Sequence, residues 1–338
     1  MSGARITLVG TPVVAAPGKI FLVGEYAVLE GGVAVLVAVS RYAVAQYVPG
    51  RVPESPVVDE AVKRALAEIG EASAALPPGS VVVDTDAFCQ GPLKLGLGSS
   101  AATAVATVGA MFETAGLSIE GQQHRIFAIA DGAHRAAQGG LGSGADVAAA
   151  VYGGFVKFAH TAEGPPTIEP LAVPSGLHLV VFWTETAANT RSMVEAIRAY
   201  GRMAPSSYKM LMGALRTTAE RFVNELLAGR ATGAVVAAGR YGRQLSELGK
   251  AAGVRIVTDA FERAAALARE LGGDAKPSGA GGGDVGVALF ATPEAAELFA
   301  RACQPALSVL DISLARSGVH RRSSDEAPVT ARGPFHVG

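Results

Sequence analysis

Cysteine is scarce in this chain, which has only Cys89 and Cys303 among its 338 residues. Two thiols give no basis for a disulfide framework, and we expect both to be buried and inert. The six histidines show no spacing typical of metal ligands. The sequence therefore predicts neither a disulfide scaffold nor a histidine-based metal centre.

Charge of either sign is also sparse. Charged residues make up 17% of the chain against 49% hydrophobic residues, and the formal net charge is -1. Nucleic acids and anionic membranes attract proteins with a basic excess, so neither is favoured as a partner. The apolar stretches 32–39 and 177–183 are too short to cross a bilayer, and the N-terminus lacks the pattern of a signal peptide. We expect a cytoplasmic protein, a monomer or homodimer, whose partners are small molecules.

Lysine is the third scarce residue, since arginine supplies most of the positive charge. Lys19, Lys94 and Lys276 nevertheless lie beside glycine-rich segments. A compact ammonium suits a phosphate oxygen better than the planar fork of arginine does, so these positions suggest phosphate binding. For Lys276 alone, a chance placement or a lysine that caps a strand is the preferred interpretation.

Glycine, by contrast, is abundant, with 42 copies in the chain, and it clusters in three loops at 96–100, 139–144 and 278–283. The first loop leads into an alanine-rich stretch, 101–115, that we predict to be helical. A glycine loop at a helix N-terminus offers free backbone N–H groups and the positive end of the helix dipole, which together bind phosphate. A simple helix cap is the alternative interpretation of such a turn.

The order of predicted elements indicates the fold class. Strands and helices alternate without βαβ regularity, which favours an α+β fold. An opening segment, 6–25, is predicted as two strands that meet at a turn at Pro17-Gly18. We place a boundary near Ala187, which gives an N-terminal lobe of residues 1–186 and a C-terminal lobe of residues 187–338 that ends in a loose tail after Ser317.

Two common nucleotide-binding patterns fit poorly. The P-loop pattern is absent, because neither Gly18-Lys19 nor Gly249-Lys250 is followed by Ser or Thr. Loose dinucleotide patterns occur at 96–101 and 281–286, but the first lacks a following βαβ unit and the second leads into a strand. An oxidoreductase is therefore disfavoured.

Three ordered motifs carry a resemblance to a known family. Ala-Pro-Gly-Lys-Ile and Gly-Glu-Tyr-Ala-Val occur within 16–28, Gly-Leu-Gly-Ser-Ser-Ala-Ala at 96–102, and Gly-Ala-Gly-Gly-Gly at 279–283. They resemble the three motifs of the GHMP kinases, which phosphorylate galactose, homoserine, mevalonate and phosphomevalonate. The resemblance spans about 15–315 and implies two lobes, a mixed α/β N-terminal lobe and a ferredoxin-like α+β C-terminal lobe. It also implies ATP as the phosphate donor, with Mg²⁺.

Smaller features resemble the branch of that family whose acceptor is phosphomevalonate. Mevalonate-specific members usually have His in place of Tyr26, a Gly-Ala pair in place of Lys94-Leu95, and Gly in place of Asp284. The resemblance implies ATP-dependent phosphorylation of (R)-5-phosphomevalonate to (R)-5-diphosphomevalonate. Another kinase of the family, above all one acting on mevalonate, is the first alternative. A catalytically silent member that acts as a ligand sensor is the second.

The resemblance also implies which residues form the site. The catalytic residues are Lys19, Asp146 and Lys94. The nucleotide-binding residues are Pro92, Gly96, Leu97, Gly98, Ser99, Ser100 and Ala101, with Ser100 also on the magnesium ion. The acceptor-binding residues are Lys19, Tyr26, Ser143, Asn189, Thr190, Arg191, Ser278, Gly279, Ala280, Gly281 and Asp284. Asn189 departs from the Ser that the family more often has there.

A phosphate acceptor changes the roles that these residues need to fill. Two anions that approach to about 4 Å repel by several kcal/mol at an effective dielectric constant of 20, so an extra cation such as Lys94 is required. A solvated loop lysine is the alternative for Lys94.

Asp146 matches the general base of members with alcohol acceptors, but a phosphate monoester is largely ionised above pH 6. We therefore expect Asp146 to position the acceptor, together with Lys19, and a helix cap after Gly144 is its alternative.

Overall fold

The computed structural model describes residues 11–140, 142–172, 175–304 and 306–323. The strands in these ranges are β1 (Val13–Val23), β2 (Val33–Pro49), β3 (Gly79–Asp84), β4 (Cys89–Gln90), β5 (Leu93–Lys94), β6 (Phe155–Ala159), β7 (Thr167–Leu171), β8 (His178–Trp183), β9 (Asp274–Pro277), β10 (Val285–Phe290), β11 (Ser308–Val309) and β12 (His320–Arg321). The α-helices are α1 (Pro56–Ile69), α2 (Ser99–Thr114), α3 (Gln123–Ala137), α4 (Ala145–Tyr152), α5 (Thr190–Met203), α6 (Pro205–Leu227), α7 (Ala231–Ala251), α8 (Asp259–Glu270) and α9 (Pro293–Ala302). Across the described ranges, none of the helices has the length and apolar character needed to span a membrane.

The first sheet forms the base of the N-terminal lobe. Its strands follow the order β12-β1-β2-β6-β7, and β3 pairs with β2. Strand β1 is almost entirely buried, which explains why its sequence is apolar without alternation. Helix α2 is buried along most of its length because its many alanines allow other elements to approach its backbone closely. This packing fixes the N-terminus of α2 next to β1.

The predicted turn at Pro17-Gly18 is wrong. Strand β1 continues through this pair, and its register against β2 shifts there, from Pro17 opposite Tyr42 to Gly18 opposite Val39. Proline lacks the N–H that a regular ladder needs, so it suits an irregularity of this kind. A Cβ on Gly18 would lie 2.8 Å from the carbonyl oxygen of Leu97, so glycine is required for the close approach of the first glycine loop. Residues 6–10 of the predicted segment lie outside the described ranges.

The second sheet has the strand order β11-β8-β10-β9, and each neighbouring pair is antiparallel. In chain order the strands are β8, β9, β10 and β11. Helices follow β8 and β10, as in a ferredoxin-like unit. Aromatic side chains of Phe182, Phe261, Phe290 and Phe299 fill its core. The predicted α+β class and ferredoxin-like lobe are confirmed. The boundary near Ala187 stays a prediction, and β8 joins the second sheet although it precedes that position.

The chain returns to the first sheet near its end. Val14 and Ala15 of β1 pair with Arg321 and His320 of β12. The carbonyl oxygen of Ala38 also accepts a hydrogen bond from the N–H of Ala315 at 3.0 Å. The start of the predicted loose tail is therefore held in a sheet, whereas residues 324–338 lie outside the described ranges.

Candidate active site

One cavity of ≈ 730 Å³ brings together residues from both lobes and from all three glycine loops. The predicted site residues that line it are Lys19, Tyr26, Pro92, Lys94, Gly96, Gly98, Ser99, Ser100, Ala101, Ser143, Asp146, Thr190, Arg191, Ser278, Gly279, Ala280 and Asp284. The cavity therefore joins residues that are up to 265 positions apart in the chain, counted from Lys19 to Asp284.

The first glycine loop presents the N-terminus of α2 to this cavity. Gly98 is the N-cap of α2, with a left-handed φ of 81°, and no side chain of the described residues caps the helix. The loop is fastened to β1, because the N–H of Lys19 donates to the carbonyl oxygen of Leu97 at 2.8 Å. The free N–H groups of the first helical turn, with the hydroxyls of Ser99 and Ser100, form an arrangement suited to phosphate.

The ammonium of Lys19 lies next to this loop. A Cβ on Gly98 would lie 3.0 Å from Cε of Lys19, so glycine leaves room for the lysine side chain. Burial lowers the pKa of Lys19, while the charges of Asp146, Asp284 and Glu25 act in the opposite direction. Within the described part of the chain, Lys19 makes no direct ion pair. The ammonium can therefore engage an anion without first breaking a salt bridge.

Asp146 is the second residue of α4, and Gly144 is the N-cap with a φ of 84°. Its Oδ1 accepts a hydrogen bond from the N–H of Val147 at 3.0 Å. The side chain thus makes a local helix contact and also lines the cavity. The N-cap itself is Gly144, so Asp146 is not the N-cap considered from the sequence, although its bond to Val147 satisfies an N–H of the first turn.

The loop that leads into α4 is held by an ion pair that the sequence analysis missed. Arg135 lies 2.8 Å from Asp131 and donates a hydrogen bond to the carbonyl oxygen of Ser143 at 3.0 Å. A Cβ on Gly144 would lie 2.6 Å from Oδ1 of Asp131, so the loop passes very close to this pair. Both residues lie on α3 at a spacing of four, which is the signal that could have identified them.

Asp284 is held in an unusual backbone conformation on the opposite side of the first loop. Its φ is 57°, which is rare for a residue with a side chain. Its N–H donates to the carbonyl oxygen of Thr186 at 2.7 Å, and its Oδ1 accepts from the N–H of Ala188 at 3.1 Å. Burial raises the pKa of Asp284, against the opposing effects of the Ala188 N–H and of Lys19. Such strain maintained by hydrogen bonds is typical of functional sites.

The acceptor side of the cavity includes the start of α5 and the third glycine loop. Thr190 and Arg191 line the cavity, whereas Asn189 caps α5 by accepting from the N–H of Ser192 at 3.1 Å. Tyr26 donates its hydroxyl to the carbonyl oxygen of Ala280 at 2.5 Å. This bond attaches the third loop to the N-terminal lobe.

Three predicted residues do not line the cavity: Leu97, Asn189 and Gly281. Leu97 is buried and contributes its carbonyl oxygen to Lys19. A Cβ on Gly281 would lie 2.4 Å from the carbonyl oxygen of Ile256, so this glycine packs against the protein's own backbone. Lys94 lies in an exposed hairpin of β4 and β5, opposite Cys89, at the edge of the cavity.

Comparison with known proteins agrees with this geometry. Residues 57–154 match the family model of the GHMP kinases N terminal domain, and residues 231–307 match that of the GHMP kinases C terminal. Together the two matches span more than half of the chain. The chain belongs to the GHMP kinase family. Membership of this family, whose members are ATP-dependent kinases, supports the interpretation that the first glycine loop binds phosphate.

Individual proteins are similar to this chain over most of their length. Phosphomevalonate kinase of Streptomyces sp. (strain CL190) is 29% identical over 335 residues, which covers 81% of this chain and 88% of that protein. The crystal structure of a Lin0012 protein from Listeria innocua has a TM-score of 0.84 at 26% identity, covering 92% of this chain and 99% of that one. Streptococcus pneumoniae phosphomevalonate kinase in complex with phosphomevalonate and AMPPNP has a TM-score of 0.76 at 20% identity, with the same coverage. The last likeness establishes a shared fold.

Lys276, for which a chance placement or a strand cap was the preferred interpretation, does not line the cavity but is buried behind it in this GHMP kinase. Lys276 is 1% exposed, and its Nζ lies 2.5 Å from Oε1 of Glu25, which itself lines the cavity. Sequence reasoning missed this pair because its members are 251 positions apart. The rarity of lysine in the chain was the one available signal.

Proposed function

We propose that this chain transfers the terminal phosphoryl group of ATP to (R)-5-phosphomevalonate, giving ADP and (R)-5-diphosphomevalonate. The observation that carries the proposal is the presence of two lysines at one phosphate-binding loop. Lys94 lies two residues ahead of Gly96, and the side chain of Lys19 lies against Gly98. The similarity to a Streptomyces phosphomevalonate kinase over 81% of the chain supports the same acceptor.

Two cations suit a reaction in which both partners are phosphates. The γ-phosphate of ATP and the acceptor phosphate are multiply charged, and their repulsion at bonding distance costs several kcal/mol at an effective dielectric constant of about 20. Lys19 is buried and acts at the transferring group, whereas Lys94 is exposed and can meet the incoming acceptor. An alcohol acceptor would carry no such charge at the reacting oxygen.

The chemical step needs no base. An oxygen of the acceptor phosphate forms a bond to the γ-phosphorus, and the bond from that phosphorus to the bridging oxygen breaks, so ADP leaves with the electron pair. The attacking oxygen is ionised near neutral pH, because the second pKa of a phosphate monoester is about 6. Asp146 therefore orients the acceptor and Lys19, and Lys19 stabilises the charge that develops in the transition state.

The donor set fits a magnesium ion that arrives with ATP. In the described ranges there is no group of three or more His, Cys, Asp or Glu that could hold a metal by themselves. Magnesium in kinases is bound through one or two protein oxygens together with substrate phosphates and water. Ser100 and Asp146 both line the cavity and offer such oxygens. When bound, the ion would neutralise phosphate charge.

The partners in this proposal are the two small-molecule substrates. The net charge of -1 provides no overall basic excess of the kind that attracts nucleic acid or an anionic membrane. We place the enzyme in the cytoplasm, as a monomer or homodimer.

Acceptor profiling tests the proposed function. ADP release is measured with phosphomevalonate and with mevalonate as alternative acceptors, and we expect turnover with the first and little with the second. Lys94→Ala should lower kcat/KM for phosphomevalonate by about a hundredfold, because charge repulsion is no longer offset, and should change nucleotide affinity little. Lys209→Ala is the control, since Lys209 is exposed and lies outside the cavity.

Three results would contradict the proposal. A preference for mevalonate would identify the alcohol-specific alternative. An unchanged kcat/KM for phosphomevalonate in Lys94→Ala would remove Lys94 from the site. Absence of ADP release with any acceptor would favour the catalytically silent alternative.

A further inference from the structure

A buried ion pair lies directly behind the candidate active site. The side chains of Lys276 and Glu25 are 0% and 2% exposed, and their charged atoms are 2.5 Å apart. Burying two charges costs several kcal/mol for each ion, and hydrophobic residues of similar size often stabilise a protein equally well. Stability alone therefore gives no clear reason for the pair at this position.

The surroundings of Lys276 keep its ammonium fully engaged. Besides Glu25, its Nζ donates to the carbonyl oxygen of Pro277 at 2.7 Å and lies 5.9 Å from the ring centroid of Tyr241. The hydroxyl of Tyr241 donates to the carbonyl oxygen of Glu25 at 2.7 Å. Elements of the C-terminal lobe thus enclose Glu25, a residue of the N-terminal lobe, from two sides.

Glu25 is one of three carboxylates, with Asp146 and Asp284, that line a cavity suited to anions. It lines the cavity together with Lys19, and its charge favours the protonated form of that lysine. Its Oε2 is buried and has no hydrogen-bond partner among the described residues. An uncompensated carboxylate at this place would repel the phosphates that the first glycine loop binds.

We infer that Lys276 is a positioning residue that neutralises Glu25, so that this carboxylate does not repel the phosphates bound by the first glycine loop. The inference deepens the proposed function and rests on it for the presence of anionic substrates in the cavity. It assigns Lys276, which lies two residues before the third glycine loop, a charge-balancing role that is distinct from contact with the acceptor. The role requires opposite charges at the two positions, and this requirement can be tested.

The test compares three variants by calorimetric titration with AMPPNP. Lys276→Met leaves the carboxylate uncompensated and should weaken nucleotide affinity on the order of tenfold. Glu25→Gln removes the repelling charge and should leave affinity unchanged or increase it. The double variant, Glu25→Gln with Lys276→Met, restores neutrality and should bind as the wild type does. Lys209→Met is the control for loss of one positive charge far from the cavity.

A purely structural role gives a different pattern. Both single variants would disturb the packing and would weaken affinity in the same direction, in parallel with losses in Tm. That outcome, or an unchanged affinity in Lys276→Met, would overturn the inference. If Lys276→Met fails to fold, Glu25→Gln and the double variant decide, since weakened binding in both contradicts the inference and retained binding in both supports it.

The pH dependence of the same titrations provides a second readout. The titratable groups that face Glu25 are Lys276 from β9, Tyr241 from α7, Lys19 from β1 and the adjacent Tyr26. In Lys276→Met, nucleotide affinity relative to the wild type should fall as pH rises. The reason is that a buried carboxylate without a partner is neutral at low pH and becomes a repelling anion as pH rises. The double variant should show no such fall, and its presence there would overturn the inference.

Failure of the proposed function would be visible separately. A wild-type protein that binds AMPPNP but does not phosphorylate phosphomevalonate would refute the proposed acceptor. The nucleotide titrations would still decide the role of Lys276.

Discussion

The first and third glycine loops, 96–100 and 278–283, have similar compositions but different surroundings. The three atoms nearest to a Cβ on Gly98 of the first loop would all belong to the side chain of Lys19. A Cβ on Gly281 of the third loop would lie 2.4 Å from the carbonyl oxygen of Ile256, and one on Gly283 would lie 2.4 Å from that of Thr186. Glycine therefore makes room for the Lys19 side chain at Gly98 and for the protein's own backbone at Gly281 and Gly283.

Because of this difference, one side of the cavity keeps free N–H groups while another side links the two lobes. The first loop ends in a helix whose N–H groups remain available, as phosphate binding requires. The third loop joins the two lobes, because Ser278 accepts from the N–H of Phe21 at 2.7 Å and Ala280 accepts from Tyr26. Substitutions in the two loops should consequently affect different measured quantities.

The largest effect is expected for Gly98→Val in the first loop. The valine side chain would occupy the space that phosphate needs and would press on Lys19, at a φ of 81° that valine avoids. We expect nucleotide affinity to fall by about a thousandfold, or about 4 kcal/mol. Calorimetric titration with AMPPNP measures this loss, and circular dichroism checks that the fold persists.

A matched control separates backbone strain from loss of the binding site. Gly116 has a φ of 78° and no atom within 4 Å of an added Cβ. Gly116→Val should therefore share the strain of Gly98→Val but retain nucleotide binding. Normal AMPPNP affinity in Gly98→Val would show that the first loop does not hold the nucleotide.

A smaller effect, on stability, is expected for Gly281→Ala in the third loop. The added methyl group would collide with the backbone of Ile256 at a φ of 74°, so we expect a loss of about 3 kcal/mol in the free energy of unfolding. Gly279→Ala in the same loop has a φ of 100° and open space around its Cβ, so it should cost only about 1 kcal/mol. Denaturant titration gives both values, and equal losses would mean that the contact with Ile256 is unimportant.

The smallest effect concerns the pH profile set by Lys19. Burial lowers the pKa of this lysine below its ordinary value of 10.5, so the free enzyme loses the ammonium at a lower pH than an exposed lysine would. We expect kcat/KM for ATP to decrease with rising pH, with a midpoint below 10.5. Lys19→Arg should be slower at all pH values but should lack this decrease, because guanidinium stays protonated. A profile shared by both proteins would assign the decrease to another group.

Elements with strong local signals were predictable from the sequence. The stretch 101–115, predicted to be helical after the first glycine loop, corresponds to helix α2 (Ser99–Thr114). Its composition and the glycines before it are local properties, so a sequence alone can reveal them.

Features that depend on distant residues were not predictable. Pro17-Gly18 has the composition of a turn, and only the approach of Leu97 and Phe88 to Gly18 makes it an irregularity within a strand. Lys276 has no local signal for burial, since its partner Glu25 is far away in the chain. Both cases follow from contacts between residues far apart in the chain, within one lobe for Gly18 and between the lobes for Lys276, which propensity and spacing do not report.

The return of the chain to the first sheet has a consequence for synthesis on the ribosome. Segment 313–322 binds back to β1 and β2, through bonds such as that from the N–H of Arg322 to the carbonyl oxygen of Val13 at 2.8 Å. The outer edge of β1 stays without this partner from the end of β2 at Pro49 until β12 begins at His320, which is about 270 residues later. Translation of that length takes on the order of tens of seconds at about 5–20 residues per second. Until 313–322 emerges, the nascent N-terminal lobe thus presents an open strand edge with which another polypeptide can pair.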